Sequence, residues 1–292
     1  MRDPLTTISL ICLTLIALAA SVWGVLQLYG SNRTAGTMNW HARIATWLIA
    51  AGSAAVFLYR WVWVNHAWVP VEAHVDGLLL IVALIAALAL YLQARARLPG
   101  LLVFVLPLMA FLLAWGICAS MWTFHAFKIH SVWKALHLTS VYLGSLFCLI
   151  SAVAGAMFLL VNFRLRHKRD PAQVARIGSL ETIERTMVHT AAAGFALLTL
   201  ALISGLMLAG ADGLLRQAGW WSSPKIILAT AVWALCALIM NVRHVGPFRG
   251  TRAAALSLAC LVLLLATMAL ANGMTSPSAH PPATQHAPLE AP

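Results

Sequence analysis

The chain has 292 residues, 62% of them hydrophobic and 9% charged, with 19 Lys and Arg against 8 Asp and Glu. Apolar content that high, gathered into long blocks, excludes an ordinary soluble domain. The net charge of +11 is spread over loops between those blocks, which excludes a nucleic-acid-binding face.

A bilayer core is about 30 Å thick and takes roughly 20 helical residues to cross. Blocks of that size fall at 6–28, 42–63, 75–93, 100–121, 131–161, 187–209, 224–242 and 253–271. Backbone groups in lipid must be satisfied within each segment, so every block is expected to be a helix. The fold class is an all-α polytopic membrane protein with eight transmembrane helices and both termini outside. ALAAS at 17–21 resembles a signal cleavage site. Cleavage would place Arg33 and Arg43 outside and invert every later loop against its charge, so the first block is read as a retained helix.

Orientation follows from the loops in chain order. With the N-terminus outside, the inner side holds Arg33, Arg43, Arg95, Arg97, the six cations from Arg164 to Arg185, and Arg243, Arg249 and Arg252. Those thirteen of the 19 basic residues satisfy the positive-inside rule. The basic stretch 164–176 is expected to lie over anionic lipid, at about 1 kcal/mol per cation. Ser179 is placed to cap a helix beginning at Leu180, with Glu181 and Glu184 in its first turns. One membrane domain covers 1–273, and the Pro- and Ala-rich segment 274–292 reads as a disordered outer tail.

The chemistry-bearing residues fall unevenly across this topology. His66, His74, His125, His130, His137, His280 and His286 lie on the outer side, with Trp61, Trp63, Trp68, Trp122, Trp133, Trp220 and Trp221. An aromatic belt alone would populate both interfaces. The bias points to an outer site for something flat and apolar, with interfacial anchoring as the alternative for any single tryptophan. No HxxxH or HExxH occurs, and the nearby outer carboxylates are Glu72 and Asp76, so a zinc centre is not expected. No Ser or Cys has a recognisable His partner, which argues against nucleophilic catalysis and for a protein that is not an enzyme. Cys12, Cys118, Cys148, Cys236 and Cys260 all lie within apolar blocks without CxxC spacing and read as buried small hydrophobes. No CxxCH attaches haem covalently.

SVWKALHLTSVYLGS, at the start of the fifth block, is more specific. Trp133 and His137 are four residues apart and share a helix face, and His130 sits seven before His137. A neutral histidine one or two turns below the surface can ligate haem iron. A helix-end histidine bonded to a carbonyl is the alternative.

Four stretches together resemble the cytochrome c assembly membrane proteins of the CcsA, ResC and HemX-like group, over about 55–272. The first is LYRWVWVNHAWVPVEAHVDGLLLIV, with Asp76 where the family usually has Glu. The second is VWKALHLTSVYLGSLFCLISAVAGAMFLL, carrying the Trp-x-x-x-His. SLETIERTMVHTAAAGFALLTLALISG supplies Gly194, Phe195, Leu197, Leu198, Thr199, Ile203, Ser204 and Gly205 of a GF-x-LLT-x-x-x-ISG helix. WWSSPKIILATAVWALCALIMNVRHVGPFRGTRAA is similar to the tryptophan-rich signature, through Trp220, Pro224, Lys225, Trp233, Arg243, Gly246, Arg249, Gly250 and Arg252. It departs at Ser222 and Ser223, where the family has Trp and Asp, and at Asn241, where a histidine is usual. These departures resemble the HemX-like branch.

The resemblance implies a haem-binding protein of cytochrome c assembly in the bacterial plasma membrane, holding haem b non-covalently and working beside other assembly membrane proteins. It implies His137 as an axial ligand, with His74, His130, His125 or His66 as candidates for the second. Trp133, Trp220 and Trp221 would form the haem platform, Lys225 and Arg216 would meet the propionates, and no metal other than haem iron is expected. The alternative is a structural or regulatory subunit of the same fold without stable haem, acting on tetrapyrrole biosynthesis.

Overall fold

The computed structural model describes residues 4–29, 35–65, 74–96, 98–121, 132–167, 177–211, 213–216, 219–241 and 250–273. The tail 274–292, the segment 168–176, and His66, His125 and His130 lie outside the described residues, and His74 is described only as backbone.

Among the described residues the structure is all-helical, with eight α-helices: α1 (Pro4–Tyr29), α2 (Ala35–Tyr59), α3 (His74–Ala96), α4 (Leu101–Met121), α5 (Val132–Arg166), α6 (Leu180–Ala211), α7 (Pro224–Met240) and α8 (Thr251–Gly273). A π-helical turn, Arg60–Asn65, continues α2, and a short 3-10 turn, Leu214–Arg216, follows α6. All but α7 are long and apolar enough to cross a bilayer, which makes this an integral membrane protein. α7 has 17 residues, about 26 Å of rise, at the lower limit for a crossing. It stops short of the expected residue 242 because Asn241 caps it, the side-chain Nδ2 donating to the Ala237 carbonyl at 2.9 Å.

Several helices outrun their apolar blocks. α6 begins at Leu180, as Ser179 foretold: the Thr182 amide donates to Ser179 Oγ at 3.2 Å. α5 has 35 residues, a rise of about 52 Å, well beyond the hydrocarbon thickness.

α5 organises the bundle, touching α3, α4, α6 and α8. Lipid gives little hydrophobic drive between helices, so close approach depends on small residues and on interhelical hydrogen bonds. Gly144 of α5 faces Leu198 of α6 so tightly that a Cβ there would lie 3.0 Å from Leu198 Cδ2. A Cβ on Gly155 would collide with Ser257 of α8. Ser151 of α5 donates to the Met187 carbonyl of α6 at 3.0 Å. The lipid-facing side carries exposed Leu15, Val22 and Leu26 of α1 and Ile203 and Met207 of α6.

Two sequence expectations change. Arg164, the first cation of the basic stretch, is buried at 2% exposure and is withdrawn from lipid, whereas Arg166 and His167 are exposed. Of the five cysteines, Cys12 and Cys118 are exposed on helix faces, and only Cys148, Cys236 and Cys260 are buried. An apolar block locates a residue in the membrane without saying which face it occupies.

Candidate functional site

Contacts bring the starts of α1, α3 and α5 together with the ends of α2 and α6 at one end of the bundle. There, Arg60 Nε donates to Asp76 Oδ1 in an ion pair between the end of α2 and the start of α3. Arg60 Nη1 also reaches Thr6 Oγ1 of α1 at 3.4 Å. Asp76 is 1% exposed and Arg60 14%. Beside them, Gly77 lets the Tyr142 ring of α5 press against the α3 backbone, where any Cβ would overlap the phenol.

His137 is half-buried in the second turn of α5. Its Nδ1 lies 2.7 Å from the Ala201 carbonyl of α6. A carbonyl only accepts, so Nδ1 carries the proton and a neutral ring keeps its lone pair on Nε2. Among the described residues no hydrogen bond takes up Nε2. The ring fits because residue 205 is glycine: a Cβ there would stand 2.9 Å from His137 Cε1 and 3.1 Å from Nδ1. Ser204, fully buried, donates its hydroxyl to the Leu200 carbonyl at 2.7 Å and approaches that of Ala201 at 3.1 Å. Ala201 and Gly205 of α6 thus form a seat for the imidazole of α5.

One layer further in, Trp233 of α7 donates its indole N–H to Thr199 Oγ1 of α6 at 2.8 Å, and Thr199 donates to the Phe195 carbonyl at 2.7 Å. The Trp233 and Phe195 rings pack with centroids 5.3 Å apart. Trp233→Phe keeps most of the ring contact and removes the bond. It should destabilise the protein by about 1 kcal/mol, read as a lower unfolding midpoint in detergent.

Between α6 and α7 the chain turns a corner at Gly213 and Gly219, whose φ angles of 69° and 88° require glycine. Trp220 and Trp221 stand edge-to-face, with centroids 4.7 Å apart, and Trp221 is 60% exposed. Pro224 occupies the first turn of α7. The serines at the altered signature positions serve the turn: Ser222 Oγ donates to the Gly219 carbonyl at 3.0 Å, and the Ser223 amide donates to the Trp220 carbonyl at 3.1 Å. Ser223 offers no side-chain cap, although its carbonyl accepts from the Ile226 and Ile227 amides.

The structure therefore brings His137 to Ala201 and Gly205, and Trp220 to Trp221. No hydrogen bond or ring contact joins these two groups among the described residues. Trp133 is 51% exposed at the start of α5, Arg216 is exposed in the 3-10 turn, and Lys225 is half-buried in the first turn of α7. The candidate second ligands His130 and His125, with His66, lie outside the described residues, and the His74 side chain is not described. Sequence reasoning missed the Arg60–Asp76 pairing and the role of Gly205 as the seat of His137, though both positions lie within the stretches that carried the resemblance.

A family model described as Cytochrome C assembly protein matches residues 71–274, which takes in α3 to α8 and leaves Arg60 and its π-turn before the match. No curated protein and no solved structure matches the chain.

Proposed function

The chain belongs to the cytochrome C assembly protein family, membrane proteins that are generally non-catalytic and whose role is in cytochrome c biogenesis, and from that premise we propose that this member handles haem at the outer end of its bundle. The observation that carries the reading is the His137 imidazole, seated against Gly205 with Nδ1–H held by the Ala201 carbonyl. Ligating histidines characteristically donate their other ring N–H to a carbonyl or carboxylate, which fixes the tautomer and the ring plane. His137 meets that requirement, so the residues present fit an axial ligand.

His137 would hold the iron through Nε2, and Trp133, Trp220 and Trp221 would supply apolar ring surface for the macrocycle. Arg216 and Lys225 would meet the propionates. Bound haem would contribute an iron centre and an apolar ring to be held or passed on. His74, His130 and His125 are the candidates for the second axial position. Without a CxxCH the haem would be held non-covalently, as haem b.

The loop charges support an orientation with both termini outside and the His137 end outermost. That end faces the side where other assembly membrane proteins would receive or deliver haem. On the opposite side Arg166 and the cations after it would meet anionic lipid. Ser222, Ser223 and Asn241 favour the HemX-like branch, because they remove an acidic residue, a tryptophan and a histidine from the family pattern.

The deciding measurement is the absorption spectrum of the protein purified from haem-replete cells. A Soret band in the wild type, lost or shifted in His137→Ala, is the expected result, and its absence from both would end the haem reading. The second reading, a regulatory subunit without stable haem, draws on Ser222, whose hydroxyl is committed to the local turn. It would be favoured by a bandless wild type that co-purifies with a soluble tetrapyrrole-synthesis protein.

A further inference from the structure

We propose that Cys148, Cys236 and Cys260 form a three-sulfur site for copper(I) inside the bundle, separate from the His137 end. Three helices each deliver one thiol: α5, α7 and α8. Cys148 Sγ lies 3.3 Å from Cys236 Sγ, which lies 3.6 Å from Cys260 Sγ, and all three sulfurs fall within 4.8 Å of one another. All three residues are buried. A fourth helix makes room for them, since a Cβ on Gly194 of α6 would stand 3.0 Å from Cys148 Sγ. Spacings of 88 and 24 residues hide this convergence from any local motif.

The donor set decides the ion. Metal–thiolate bonds of about 2.3 Å in a flat three-coordinate array require sulfur–sulfur edges of roughly 4.0 Å. The 3.3 Å and 3.6 Å edges reach that by opening about 0.7 Å and 0.4 Å, within the reach of small side-chain rotations. Among the described residues no His, Asp or Glu joins the cluster, so the site is all-sulfur and soft. Structural zinc and iron–sulfur clusters each call for four protein ligands, one more than the cluster supplies. Copper(I) has the softness that thiolates select.

The thiolate is the metal-binding form of cysteine, so loading the site releases thiol protons to water.

The test uses the full-length protein in detergent under anaerobic conditions, titrated with copper(I) held by bicinchoninate. The wild type should withdraw one equivalent, with sulfur-only coordination by X-ray absorption. Cys148→Ala, Cys236→Ala and Cys260→Ala, each a small apolar replacement, should weaken binding beyond the roughly 10–100-fold typical of losing a merely supporting group. The Cys12→Ala/Cys118→Ala double variant should bind as the wild type does. Equal copper(I) uptake by wild type and the Cys148/Cys236/Cys260 triple alanine variant would overturn the proposal. So would a wild type that takes up none, or anaerobically isolated protein carrying a Cys148–Cys236 disulfide by mass spectrometry. Haem content, read separately in the Soret region, should be unchanged in the triple variant.

Discussion

Asp76→Ala should destabilise the protein by about 3–5 kcal/mol, the largest stability loss expected from a single side chain here. The carboxylate is 1% exposed and paired with Arg60, so its removal takes the ionic partner from a guanidinium that is itself 14% exposed and otherwise reaches Thr6 Oγ1. Arg60→Met should act in the same direction, because it removes the cationic partner of the buried carboxylate at the start of α3. The double variant Arg60→Met/Asp76→Leu should regain most of the loss. With both charges removed neither is left unmatched by the other, as when a buried ion pair is replaced by apolar side chains of similar size. Unfolding midpoints of the four proteins in one detergent make a double-mutant cycle. Single variants that each cost less than about 1 kcal/mol would mean the pair is solvated and holds little.

The fold was legible because lipid leaves a chain few choices. Each apolar block had to become a helix, and all eight did. The boundaries were less legible, since helices continue past the hydrocarbon wherever a cap or packing sustains them. α2 starts at Ala35 rather than 42 and α6 at Leu180 rather than 187, the latter on a Ser179 cap that the sequence did announce. α7 ends early for the same kind of reason, at Asn241.

Side-chain facing was the harder problem. The basic stretch could be read as charge, but only packing shows that Arg164 turns inward while Arg166 does not. The cysteines could be placed in the membrane, but their meeting depends on the order in which α5, α7 and α8 pack. The candidate site divides the same way. His137 was legible because Trp-x-x-x-His puts two chemical groups on one face. Its partner was not, because the partner is a backbone carbonyl, which every residue has, at a position with no side chain to mark it. The tryptophan pair was legible as composition. The corner that presents it depends on Gly213 and Gly219, whose conformations no apolar pattern encodes.

Gly205→Ala separates the seat of His137 from the stability of the helix that carries it. An added methyl would stand 2.9 Å from Cε1 of the imidazole, closer than a real side chain tolerates, so the ring must move and the 2.7 Å bond from Nδ1 to Ala201 must lengthen or break. A supporting hydrogen bond lost from a metal-ligating histidine typically costs 10–100-fold in affinity. Haem retention should fall by about that factor, with a broadened or shifted Soret band. Helix α6 itself has the opposite interest, since alanine is favoured over glycine in a helix interior by about 1 kcal/mol. That gain opposes the strain of moving one half-buried ring, so the unfolding midpoint should change little. Weak haem with an unchanged midpoint is the outcome that identifies Gly205 as a positioning residue. Unchanged haem in Gly205→Ala, in a protein whose wild type does show the band, would mean that the iron is held elsewhere. His137 would then be a packed helix-end histidine, satisfied by a carbonyl and nothing more.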